Sequence, residues 1–252
     1  MKVFSVYGPT MSGKTTTIEN IIRELKKRGK KVGSVKNIHF EKFSLDDEGT
    51  NTWRHKEAGS EMVVARGPAE TDVLVPRQLG MDRVLDFFNQ EYDYVVIEGV
   101  ADTNLPKVLC ADNLADLESR LNDLVFVISG CISNQLTEHK GIPVLNALAA
   151  VEKLVDLIEE RVTDVMPFIY GLEQCRACGS DCRGFVVQTL KKEKAREDCV
   201  YVKNVVSVMV GQSEIKVDVL FERKLKGIIE DLAAGLDSYN AEDEIQIRIR
   251  KQ

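Results

Sequence analysis

At 252 residues the chain is long enough to bury a sizeable core, as one large domain or two smaller ones. With 44% hydrophobic and 29% charged residues it has the composition of an ordinary globular protein. A net charge of −6 argues against wholesale nucleic-acid binding, and no apolar run approaches the length of a membrane span.

The chain opens on an apolar, β-prone run, Val3 to Tyr7, with no leader pattern ahead of it, so a cytoplasmic protein that binds neither nucleic acid nor membrane is expected. The next residues are Gly8, Pro9, Thr10, Met11, Ser12, Gly13, Lys14 and Thr15, followed by Thr16 and a helical pattern to Arg28. They fit GxxxxGK[ST] at each fixed position, and they sit between a strand and a helix, where the chemistry requires them. A glycine-rich turn lets backbone N–H groups curl around a phosphate, and the helix adds its positive end. Lys14 supplies a full charge for the terminal phosphates, and the Thr15 hydroxyl is suited to ligate Mg²⁺. A nucleoside triphosphate is the expected ligand.

Ile18, Ile21, Ile22 and Leu25 recur at helical spacing, and Gly29 ends the helix. Val32 to Lys36 reads as a second strand, which gives a βαβ unit and a parallel sheet. Ligands of such sheets bind beyond the carboxyl ends of the strands, so Lys36 and His39 should lie near the phosphates. The polar stretch from Phe43 to Arg66 reads mainly as a solvated loop, and Val63–Ala65 and Val73–Val75 as short strands. Tyr92 to Gly99 is an apolar run that delivers Glu98 to the carboxyl edge, where phosphate-loop proteins hold Mg²⁺. Leu105 to Val108 reads as a loop and Leu124 to Ser129 as a core strand. Ile142 to Leu145 is a short strand, and Asn146 to Arg161 an amphipathic helix that closes the domain. Cys110 and Cys131 are expected to be small buried apolar residues.

Pro167 and Gly171 mark a boundary between domains at 1–165 and 168–252. Of the six cysteines, Cys175, Cys178, Cys182 and Cys199 fall in the second. In a reducing compartment four such thiols point to a 4Fe–4S cluster, with Zn²⁺ as the alternative. A short helix between the third and fourth cysteines, a hairpin near Val206–Val217, a helix from about Leu220 and a strand at Ile245–Arg250 complete a small ββαβ tail. The expected architecture is therefore α/β: a P-loop NTPase with a mostly parallel sheet flanked by helices, plus a small C-terminal α+β iron–sulfur domain.

The first 161 residues resemble the molybdopterin-guanine dinucleotide biosynthesis adapter family, MobB. The resemblance rests on the phosphate loop, on Lys36-x-x-His39, and on Asp46-x-x-Gly49-x-x-Thr52-x-Arg54-His55-x-Glu57-Ala58-Gly59. Val96-Ile97-Glu98-Gly99 with Pro106-Lys107 downstream adds to it. It implies GTP and Mg²⁺ as ligands, weak GTPase activity and a homodimer. It also implies an auxiliary role beside the molybdenum cofactor guanylyltransferase (MobA-like) or another molybdo- or tungsto-enzyme maturation partner. Lys36, His39, Arg54 and His55 become nucleotide- or metal-proximal candidates, and Asp46 a supporting acid. The guanine preference comes from the resemblance alone, since no NKxD-like motif is present. The tail resembles the small four-cysteine iron–sulfur domain of corrinoid iron–sulfur proteins. Two alternatives stay open: a metal or iron–sulfur insertion factor that carries cargo on its cysteines, and a small-molecule kinase, which would need a basic lid.

Overall fold

The computed structural model describes residues 1–40, 43–88, 91–164, 176, 178–199, 208–210, 213–215, 225, 227–229 and 231–233. In chain order the elements begin with β1 (Lys2–Tyr7), α1 (Lys14–Lys27), β2 (Val32–Lys36), α2 (Asn51–Glu57), β3 (Val63–Arg66) and β4 (Thr71–Leu74). Then come α3 (Met81–Asp86), β5 (Tyr94–Glu98), β6 (Lys107–Cys110), α4 (Leu114–Arg120) and β7 (Val125–Ser129). After these follow β8 (Glu138–His139), β9 (Ile142–Pro143), α5 (Val151–Arg161), α6 (Cys182–Leu190), β10 (Val208–Val210) and β11 (Ser213–Ile215).

The strands β2-β5-β1-β6-β7 form one sheet, and every neighbouring pair in it is parallel. The four strands β5, β1, β6 and β7 are buried on both faces and read as apolar runs whose alternate residues serve different layers, while β2 is the partly exposed edge. Phe4 and Val6 of β1 and Tyr94 and Val96 of β5 pack with Ile18, Ile21 and Leu25 of α1 and Leu154, Val155 and Ile158 of α5. On the other face Val3, Val95 and Ile97 meet Leu85 of α3, while Tyr7, Leu109 and Val125 meet Leu117 of α4. Arg28 ties α1 to α5, pairing with Glu24 at 2.9 Å, Asp156 at 2.7 Å and Glu159 at 2.6 Å.

Four expectations change. The 105–108 stretch is not a loop: Lys107–Cys110 is a fully buried strand, disguised by its lysine. The polar 43–66 stretch contains α2, nucleated by Thr50, whose hydroxyl accepts the Trp53 N–H at 3.1 Å. The closing helix starts at Val151 rather than Asn146, because the Asn146 side chain accepts the Leu148 N–H at 2.8 Å and holds a turn instead. Helix α4 is an addition, begun by Asn113, which accepts the Asp116 N–H at 2.9 Å.

The tail as far as described packs on this body. Cys182, Phe185, Val186, Leu190 and Cys199 belong to the same apolar cluster as α1 and α5. Arg183 pairs with Asp123 just before β7, Lys192 pairs with Glu160, and Arg161 donates to the Leu190 carbonyl at 2.6 Å. Strands β10 and β11 form an antiparallel pair. The expected strand at 245–250 lies outside the described residues.

Candidate functional site at the carboxyl edge of the sheet

β1 ends at Tyr7 and α1 begins at Lys14, so residues 8–13 turn the chain directly from the central strand into the helix. Gly8, at φ 150°, passes so close to β6 that a Cβ there would lie 1.9 Å from the Cys110 carbonyl oxygen. Only glycine fits that approach. The buried Ser12 hydroxyl donates to the Pro9 carbonyl at 2.9 Å, which folds the loop on itself. Thr10, Met11, Thr15 and Thr16 face solvent, and Gly13 at φ 88° opens α1. Lys14 Nζ donates to the Pro9 carbonyl at 2.6 Å, so the lysine reaches back along the loop it is meant to serve.

Beside the loop stand the ends of β2 and β5. Lys36 and Glu98 are register partners, each the last residue of its strand. Their side chains meet at 2.8 Å, and the same Glu98 Oε1 accepts the Thr15 hydroxyl in a long contact of 3.4 Å. Thr15 and Glu98 thus bring two hard oxygen donors together. That donor set fits Mg²⁺, which takes few protein ligands and keeps its remaining positions for water and phosphate.

A residue pair that sequence reasoning missed backs the loop from behind. Gly130 and Cys131 follow β7; Cys131 donates its N–H to the Ser12 carbonyl at 3.2 Å, and a Cβ on Gly130 would stand 2.1 Å from that same oxygen. The available signal was Ser129-Gly130 at the end of a core strand, the same strand-then-glycine pattern as Glu98-Gly99. Cys110 is buried as expected, its thiol pushed up to about 12 by that burial, whereas Cys131 is half-buried against the loop, its thiol 3.7 Å from the Met11 carbonyl.

The remaining candidates separate. Asp46 accepts the hydroxyls of Thr50 and Thr52, each at 2.8 Å, and pairs with Lys56 at 2.7 Å. The Lys56 ammonium beside it holds its carboxyl below the usual range. Its partners all come from 50–56, so it organises the start of α2. Arg54 and His55 are exposed on that helix, and His39 is exposed just past β2. Of the four tail cysteines, Cys175 lies outside the described residues. Cys182 and Cys199 are buried in the apolar cluster with half-buried Cys178 against it. Among the described residues no group of three or more His, Cys, Asp or Glu side chains is placed to hold a metal. No helix among them is long and apolar enough to cross a membrane.

Residues 3–129, just over half of the chain, match the family described as molybdopterin guanine dinucleotide synthesis protein B, MobB. The chain belongs to the MobB family. A Methanocaldococcus jannaschii protein named as a molybdopterin-guanine dinucleotide biosynthesis adapter is 27% identical over 217 residues, 84% of this chain and 82% of its own length. A Bacillus subtilis protein named for the same role is 29% identical over 147 residues, 58% of this chain and 85% of its own. The crystal structure of Bacillus subtilis MobB superposes with a TM-score of 0.55 at 27% identity, covering 65% of this chain and 99% of that one. A match over 84% of the chain must run through the cysteine segment.

Proposed function

We propose that this MobB-family chain is an adapter in the biosynthesis of the molybdenum or tungsten pterin guanine dinucleotide cofactor, binding GTP with Mg²⁺ at the 8–15 loop. The observation that carries the reading is the convergence of Lys14, Thr15 and Glu98 on one edge of the sheet. In this reading the loop N–H groups and the start of α1 receive the phosphates, and Lys14 exchanges the Pro9 carbonyl for a phosphate oxygen. Thr15 and Glu98 would hold the metal, which would supply positive charge to neutralise the terminal phosphates. Asp46 is committed to Lys56 and two threonines, so it is not offered as a base for an attacking water. We therefore read hydrolysis as slow, suited to timing an association rather than to turnover. The partner is a MobA-like guanylyltransferase or a related maturation protein, and the chain acts as a homodimer.

The kinase alternative loses its main cation, because Lys107 is buried in the sheet and cannot belong to a lid. The cargo-carrier alternative requires accessible thiols, whereas Cys182 and Cys199 are buried. A second reading is kept for the tail: a resident 4Fe–4S or Zn²⁺ centre on Cys175, Cys178, Cys182 and Cys199. It rests on the spacing of those cysteines in the sequence, Cys175 lying outside the described residues.

Calorimetric titration with GTP and Mg²⁺ tests the main reading. Lys14→Ala should weaken GTP at least about tenfold, the scale of one charge-assisted contact. Unchanged affinity in that variant would refute the placement.

A further inference from the structure

One carboxylate oxygen at the carboxyl edge serves two groups: Glu98 Oε1 takes the Lys36 ammonium at 2.8 Å and the Thr15 hydroxyl at 3.4 Å. The Glu98 side chain is 13% exposed, while that of Lys36 is 60% exposed and reaches over it from solvent. Parallel pairing of β2 with β5 fixes both backbones, since Val35 opposes Ile97 and Lys36 opposes Glu98. The Asn37 N–H then bonds the Glu98 carbonyl at 3.0 Å. Only the lysine side chain is free to move. An ion pair this exposed on one side contributes little stability, so its breakage costs little.

We propose that Lys36 is an exchangeable counter-ion for Glu98: it yields the carboxylate to the nucleotide's divalent cation and then serves the terminal phosphate as a second lysine beside Lys14. The inference rests on the GTP–Mg²⁺ reading above and deepens it. A cation held by Thr15 and Glu98 would compete with Lys36 for that carboxylate, since two positive charges beside one carboxylate repel where water is partly excluded. Lys36 must then leave. The nearest excess of negative charge is the far end of a bound triphosphate, which a diphosphate lacks. Lys14 shows the same arrangement, its ammonium resting on the Pro9 carbonyl at 2.6 Å. Both lysines of the site thus have an oxygen of their own chain to return to.

The test is calorimetry of GTP and GDP binding to the full chain over a series of Mg²⁺ concentrations, for wild type, Lys36→Met and Lys36→Arg. Removing the competing cation in Lys36→Met should lower the Mg²⁺ needed for half-maximal GDP binding several-fold. It should also cut the preference for GTP over GDP by about tenfold. Lys36→Arg should retain the preference. Either change without the other overturns the exchange, as does an equal loss for both nucleotides. A wild-type chain that binds neither nucleotide overturns this inference together with the reading it rests on. Wild-type binding that Lys14→Ala abolishes, with Lys36→Met indistinguishable from wild type, overturns this inference alone.

Discussion

Lys107 is the buried lysine of the central sheet, and replacing it with methionine should stabilise the protein. It opens β6 with no exposed surface, opposite Ser5 of β1. Its ammonium has one hydroxyl partner, Thr103 at 3.2 Å, and lies 5.7 Å from the centre of the Tyr7 ring. Burial, aided by the positive charge of Arg183 and opposed by Asp102, pulls its pKa from 10.5 down to about 8. That difference corresponds to about 3 kcal/mol against the charged, folded form at neutral pH. The sign follows from proton counts. Below pH 8 both states hold the proton and the penalty is constant. Between pH 8 and 10.5 the unfolded chain holds it and the folded chain does not, so wild-type stability rises with pH. From about pH 7.5 to 9.5 the gain should be about 2 kcal/mol. The window stops there because burial raises Tyr7 and Tyr94 to about 12, and from pH 10 upward their ionisation favours the unfolded chain. Methionine keeps the length and volume while forfeiting the Thr103 bond and the ring contact, roughly 1–2 kcal/mol together. The variant should therefore gain about 1–2 kcal/mol at pH 7.5, and its advantage should vanish by pH 9.5. Urea unfolding of both proteins across that range is the assay. A variant less stable at pH 7.5, or a difference that does not change with pH, would show that Lys107 is charged and paired, and would refute the reasoning.

Two further outcomes are expected. Thr50→Ala removes the N-terminal cap of α2 and should cost that helix about 1 kcal/mol, read as faster amide exchange at 53 and 54 with little change in global unfolding; unchanged exchange would mean that Asp46 holds the helix start without it. Anaerobically purified protein should carry iron and sulfide, or zinc, which Cys178→Ser loses along with part of its thermal stability; a metal-free wild type of full stability would leave the tail cysteines as packing residues.

The turn from β1 through residues 8–13 into α1 was legible because a strand, two glycines, a lysine and a helix follow one another within a few residues. Glu98 was legible for a related reason, as the polar end of an uninterrupted apolar strand. β6 was hidden because the apolar signal of Lys107–Cys110 is three residues long and begins with a lysine, a residue almost never buried. Helix α2 was masked by polarity, since it buries no residue and depends on its Thr50 cap rather than on an apolar face. The support that Gly130 and Cys131 give the loop joins residues about 120 positions apart, and no local pattern encodes it.

The position of the tail limits what its cysteines can do. Helix α6 is held by Asp123, which precedes β7, and by Glu160 and Arg161 at the end of α5. That end of α5 lies beside the start of β1, where the Lys2 ammonium donates to the Glu159 carbonyl at 2.9 Å and the Lys2 backbone forms an antiparallel bridge with Asp164. The tail therefore docks at the amino edge of the sheet, whereas Lys14, Lys36 and Glu98 stand at the carboxyl edge. The six residues of β1 set the separation, about 20 Å at a strand's rise per residue. A centre built on Cys178, Cys182 and Cys199 would stand across the sheet from the 8–15 loop. Any influence between the two must pass through packed layers, and Lys107 is placed on that route. Its ammonium bonds Thr103 in the loop that follows Glu98 at 3.2 Å, and the charge of Arg183 in the tail helix helps to lower its pKa.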